Sequence, residues 1–135
     1  MEERRLSIFL QGLTAENKKK VRRYEDSCKR IIDATEAVNF NENCIREKLC
    51  PKSIGRCGRA WTRWNEVEKI LRQRIREAET RIRENEEEKE RRREEFCATT
   101  TEEDQRTAFT LMDMEISRYR QSVITRHAKK FFILQ

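Results

Sequence analysis

Cys44, Cys50, Cys57 and the single histidine, His127, are the residues whose types could do specific chemistry. Thiolates with an imidazole can hold zinc. The spacings here, C-x5-C and C-x6-C, are wider than the C-x2-4-C knuckle of structural zinc sites. The pattern favours buried thiols that act as small hydrophobes. Nothing else in the chain has the make-up of a catalytic centre. There is no glycine-rich phosphate loop and no Ser–His–Asp set, and the carboxylates fall in charge-pair patterns instead of apolar pockets that would shift their pKa. Neither a cofactor nor an enzymatic activity is expected.

The elements around these residues are helices. The run from Arg59 to Cys97 has no Gly and no Pro after Gly58 and is filled with good helix formers. At 1.5 Å per residue it makes a rod of roughly 55 Å, the length of a coiled coil. Trp61, Trp64, Leu71, Ile75, Ala78 and Ile82 occupy a and d positions of one heptad frame, Val67 and Ile70 widen the stripe, and Glu68 interrupts it. From Arg83 to Glu95 there is no apolar residue on any face. Glu–Arg pairs four apart support that part, Glu87 to Arg91 and Glu88 to Arg92 among them, each worth about 0.2–0.5 kcal/mol. The seam end is expected to pack and the charged end to stand in water.

Before the rod, Leu6, Ile8, Phe9, Leu10 and Leu13 suit a short helical turn. Thr14 caps a helix over 14–38 whose stripe is Val21, Tyr24, Cys28, Ile31 and Val38. The span 39–58 reads as an irregular, cysteine-containing connection, because Asn39, Asn41 and Asn43 break helices and Pro51 ends one. After the 59–97 rod, Thr101 before Glu102, Glu103 and Asp104 starts a last helix over 101–134. Its seam is Phe109, Met112, Ile116, Tyr119 and Val123, and Phe131 to Leu134 close it. The hairpin turn falls either near Asn85 or near Thr99. The fold class is all-α: one domain, an elongated antiparallel hairpin or three-helix coiled-coil bundle.

Composition fits that class. Of 135 residues, 36% are apolar and 41% charged, enough to cover helix seams but not to fill a thick interior. The net charge of +6 permits an anionic partner without demanding one. No apolar run reaches the ~20 residues of a membrane span, and the charged start argues against a secretory signal. An odd number of cysteines without a signal points to reduced thiols in the cytoplasm. Basic residues that could meet an anion or a lipid headgroup are Lys18, Lys19, Lys20, Arg22, Arg23, Arg74, Arg76, Arg91, Arg92, Arg93, Lys129 and Lys130. The competing account is a solvated helix face with intrahelical pairs, which for Arg72, Arg81 and Arg83 is the stronger one.

Trp61-Thr-Arg-Trp64, followed by Arg76-Glu-Ala-Glu79 and Arg81-Ile82, resembles the second helix of retromer-associated sorting-nexin BAR domains. Glu115-Ile-Ser-Arg-Tyr119 resembles the Glu-Val-x-Arg-Phe segment of that family's third helix. The resemblance covers roughly residues 60–120 and is most specific at the two tryptophans. It departs from the family in having no preceding phosphoinositide-binding domain, an abbreviated first helix, and Arg126-His127-Ala128 where Asp-Phe-Lys is usual. It implies a helical homo- or hetero-oligomer on anionic endosomal membrane. A coiled-coil adaptor that binds protein alone is the alternative. A nucleic-acid binder is disfavoured by the 25 acidic residues spread through the same helices.

Overall fold

The computed structural model describes residues 5–54 and 63–135. Among them are four α-helices, one 3-10 turn and no strand: α1 Arg5–Gln11, α2 Ala15–Glu47, the turn Lys52–Ile54, α3 Trp64–Cys97 and α4 Glu102–Leu134. The chain is all-α, a bundle of three long helices with a short one at its start. Helix α2 is central. Helix α3 runs antiparallel to it, since Arg92 reaches Ser27 and Thr99 reaches Asn17. Helix α4 runs parallel to it, since Phe109 meets Tyr24 while Phe131 meets Phe40.

The caps explain where the helices begin and end. Thr14 and Thr101 both have extended backbones, and each hydroxyl accepts the amide three residues on, from Asn17 and Asp104, at 3.2 Å. This satisfies one of the orphaned N–H groups of the first turn. The α3–α4 turn therefore lies at 98–101, not near Asn85.

Helix α2 does not stop at Val38. It runs through the three asparagines to Glu47, so the irregular connection begins nine residues later than the composition suggests. The break fails because Phe40 and Cys44, one turn apart, and Ile45 beside them have something to pack on. Asn41 neutralises its own breaking tendency by donating Nδ2 to the Ala37 carbonyl at 2.7 Å. The helix ends instead at Lys48, at φ 54° and ψ 45°. Leu49 N–H donates to Cys44 and Lys48 N–H to Ile45, a Schellman closure of the last carbonyls.

The interior is divided into two apolar nodes. The larger joins all four helices: Leu6 and Leu10 from α1, Val21, Tyr24, Cys28 and Ile32 from α2, Phe96 from α3, and Ala108, Met112, Ile116 and Val123 from α4. The smaller, at the other end, holds Cys44, Val67 and Leu71, with Phe40, Trp64, Phe131 and Leu134 packed round them. Between the nodes α2 and α3 face each other across a polar groove of about 630 Å³ lined by Arg30, Asp33, Arg81, Glu84, Asn85, Glu88 and Arg92.

The charged stretch 83–95 thus lies along α2 instead of standing alone in water. Its inward residues, Asn85, Glu88, Lys89 and Arg92, keep the heptad rhythm with polar side chains. Arg92 donates to the Arg23 carbonyl at 2.6 Å, to Ser27 Oγ at 2.8 Å and to Glu88 at 2.8 Å. Arg91 pairs with Glu88, three residues before it, and not with Glu87. The stretch then delivers Phe96, which is 1% exposed, into the larger node.

Two stability predictions follow from these positions. Phe96→Ala removes the largest fully buried side chain among the described residues and is expected to cost about 3–5 kcal/mol, read as a lower urea midpoint with the slope kept. Lys48→Gly relieves a left-handed backbone that costs an L-residue about 1–2 kcal/mol, and should raise the same midpoint. An unchanged midpoint would mean that Lys48 does not hold this conformation in solution.

Candidate interaction surfaces

Most of the expected seam is spent inside the chain. Leu71, Ala78, Met112, Ile116 and Val123 are buried, and Trp64, Ile75, Ile82, Phe109 and Tyr119 are half-buried against neighbouring helices. Trp61 lies outside the described residues. Among the described residues the large apolar side chains that remain exposed are Ile8 on α1, Ile70 on α3, and Ile124, Phe132 and Ile133 on α4.

The basic candidates do not form one face. Lys20 donates to Thr99 Oγ1 at 3.2 Å, and Arg22 pairs with Glu25 at 2.9 Å. Arg74 bonds Ser53 at 2.8 Å, Arg76 bonds Gln73 at 2.7 Å, and Arg91 and Arg92 are held as described. Arg93 lies 4.6 Å above the Phe109 ring. Lys20, Arg74, Arg92 and Arg93 thus fasten separate elements together, which helical spacing does not show, whereas Arg22, Arg76 and Arg91 bond a neighbour one turn away on their own helix. Lys18, Lys19 and Arg23 stay exposed at the start of α2, and Lys129 and Lys130 at the end of α4. The two groups sit at opposite ends of helices about 50 Å long.

The end of α4 combines charge with exposed apolar surface. From residue 116 to 135 the sequence holds Arg118, Arg120, Arg126, Lys129 and Lys130 and no acidic residue. Ile124, Ala128 and Phe132 recur every four residues and so share one stripe. Phe132 is 75% exposed and Ile133 67%, while Phe131 and Leu134 turn inward to Phe40 and the smaller node. His127 anchors this stretch, with Nδ1 3.1 Å from the Glu36 carbonyl and its ring 5.6 Å from Phe40. A carbonyl only accepts, so Nδ1 carries the proton in that contact.

The zinc alternative meets chemical resistance. Cys44 is fully buried, and burial pushes its thiol up to about 11, so the thiolate that a metal needs is disfavoured. His127 is engaged with α2, and Cys57 lies outside the described residues. Among the described residues no three His, Cys, Asp or Glu side chains are grouped to hold a metal. Also among them, no helix is long and apolar enough to cross a membrane.

Sequence patterning missed one polar cluster, the Glu25–Glu115 pair between α2 and α4. A signal was present. Glu25 stands four after Val21 and three before Cys28, and Glu115 three after Met112 and four before Tyr119, so both carboxylates lie on apolar stripes. Compared with known proteins, the chain matches no family model, no curated protein and no solved structure.

Two phenols between α2 and α4, Tyr24 of α2 and Tyr119 of α4, set an alkaline limit. Burial pushes Tyr24 up to about 12. Burial, and then a 2.6 Å hydrogen bond donated to Asp33, push Tyr119 up to about 12. The folded state favours the neutral phenol, so this stabilisation is complete below the ordinary tyrosine pKa of about 10 and lost as pH rises toward 12. Tyr119→Phe should flatten the fall of the urea midpoint between pH 10 and 12, and an equally steep fall would remove Tyr119 from the account.

Proposed function

We propose that this chain is a non-enzymatic helical scaffold that associates with anionic membrane surfaces through the end of α4. One observation carries the reading: twenty residues free of acid, bearing five cations, end in exposed Phe132 and Ile133. A bilayer is the partner that offers negative headgroups beside an apolar interior, and each Lys or Arg near such a surface gains about 1 kcal/mol. Nucleic acid would reward the cations and could stack a base on Phe132, but it offers nothing to the exposed Ile124 and Ile133, which have no π-face.

In this reading α2, α3 and α4 wind as a three-helix antiparallel coiled coil of BAR-like character, working in the cytoplasm and peripherally on endosomal membrane as a sorting nexin does. The resemblance at Trp64 and at Glu115–Tyr119 supports it. Self-association would have to use the exposed stripes, since the heptad seam is occupied within the chain. The adaptor reading draws on a different feature, the apolar hollow of about 260 Å³ bordered by Phe40, Pro51, Ile133 and Leu134, with a size suited to a side chain of a partner protein.

Vesicle co-sedimentation tests the proposal. Phosphatidylserine vesicles should pellet the protein at low salt and phosphatidylcholine vesicles should not, with binding weakened as salt screens the cations. Lys129→Ala with Lys130→Ala should weaken binding about thirtyfold, from about 2 kcal/mol. Phe132→Ser with Ile133→Ser should weaken it also at low salt. If anionic vesicles leave the wild-type protein in the supernatant, the membrane reading fails and the protein-adaptor reading replaces it.

A further inference from the structure

Glu25 and Glu115 meet where α2 and α4 cross, inside the larger node's rim. Glu25 is 5% exposed. Its Oε1 accepts from Arg22 Nη1 at 2.9 Å, and the same nitrogen is 3.8 Å from Glu115 Oε2. That leaves Glu25 Oε2 and Glu115 Oε2 buried with no hydrogen-bond donor for either. Two ionised carboxylates can only accept, so side by side they repel and leave both oxygens orphaned. A single proton changes this. It makes one group a donor and converts the repulsion into an O–H···O⁻ bond, among the shorter and stronger kinds.

We propose that Glu25 and Glu115 form a proton-sharing latch that fastens α4 to α2 more tightly in mild acid than at neutral pH. The charged groups around it fit. From α2, Arg22 and then Lys29 act on Glu115, and one guanidinium cannot neutralise two carboxylates. Burial, followed by the contact with Glu25, holds the Glu115 carboxyl above the ordinary glutamate range in spite of those cations. On α4 itself, Asp113 acts on Tyr24 and Cys28, and from α3 Lys89 acts on Cys28 and Arg93 on Tyr24. Helix α1 contributes one described charge, the exposed Arg5. The remaining α2–α4 contacts are kept in acid: Tyr119 still donates to Asp33, and His127 Nδ1 donates to Glu36 in either charge state of the ring.

The sign is set by the raised folded pKa. The folded state holds the proton more tightly than the unfolded chain. The latch is therefore complete below the unfolded glutamate pKa of about 4.3 and is released as pH rises through the higher folded value. Other carboxylates that pair with arginine lose stability in acid, so the latch is read as a difference between proteins and not as an absolute rise.

The test is a carboxyl-carbon NMR titration of the full chain, with urea midpoints measured from pH 4.5 to 8 on wild type and Glu115→Gln. Glu115 should titrate above the ordinary glutamate value. Glu115→Gln, a permanent neutral donor, should match or exceed the wild-type midpoint at pH 7.5, and the difference between the two proteins should shift in favour of wild type on going to pH 5. Hydrogen exchange of α4 amides should slow between pH 7.5 and 5, after correction for the intrinsic rate, in wild type only. A Glu115 titration at or below the ordinary value, or parallel midpoint curves for the two proteins, overturns the proposal. The NMR titration needs no variant, so it decides the matter even if Glu115→Gln folds poorly.

Discussion

The structure depends on an aromatic junction near the α3–α4 turn. Phe96 and Phe109 meet edge to face with centroids 5.8 Å apart, Tyr24 meets Phe109 at 5.4 Å, and Arg93 covers the Phe109 ring. Edge-to-face rings add about 0.5–1.5 kcal/mol beyond the area they bury. Three helices are tied here, and Leu6 and Leu10 bring the fourth to the same node. Without this junction α4 would meet α3 only across the turn, and the two would splay. Its position also explains the turn: Thr99 and Thr100 return their hydroxyls to the end of α3, and Lys20 and Asn17 reach across from α2 to Thr99.

Charge plays two roles that composition cannot separate. Along α3 an arginine such as Arg92 behaves as a core residue. It spends its hydrogen bonds on the α2 backbone and Ser27, and burial followed by the Arg30 charge lowers its pKa. At the end of α4 similar residues point outward with no acid near them in sequence. The first use fixes the distance between two helices, and the second leaves an uncompensated positive end.

How much of this could be read from the chain follows from where the information sits. Thr14 and Thr101 were legible because a cap is a local contact, three residues long. The helical class was legible from periodicity, but which of Phe131 to Leu134 dock and which stay exposed was not, because that depends on where Phe40 lies on α2. Phe96 was not, because a lone aromatic after thirteen polar positions has no stripe to declare it. The continuation of α2 past Asn39 was hidden because only tertiary packing of Phe40 and Cys44 outweighs the helix-breaking propensity of the asparagines. Inter-helix fasteners such as Lys20–Thr99 and Arg92–Ser27 join residues far apart in sequence, which no spacing rule reaches.

The polar groove between the two apolar nodes has a mechanical meaning. Apolar packing is stiff because its contacts vanish over fractions of an ångström. Of the groove's arginines, Arg30 pairs with Asp26 and Arg92 with Glu88, each within its own helix, and Arg92 also bonds across to Ser27 and the Arg23 carbonyl. Long side chains of this kind can re-pair as two helices shift, so a load on one tip meets an adjustable set of contacts at mid-length, bounded by the tightly buried Ala34 and Ala78.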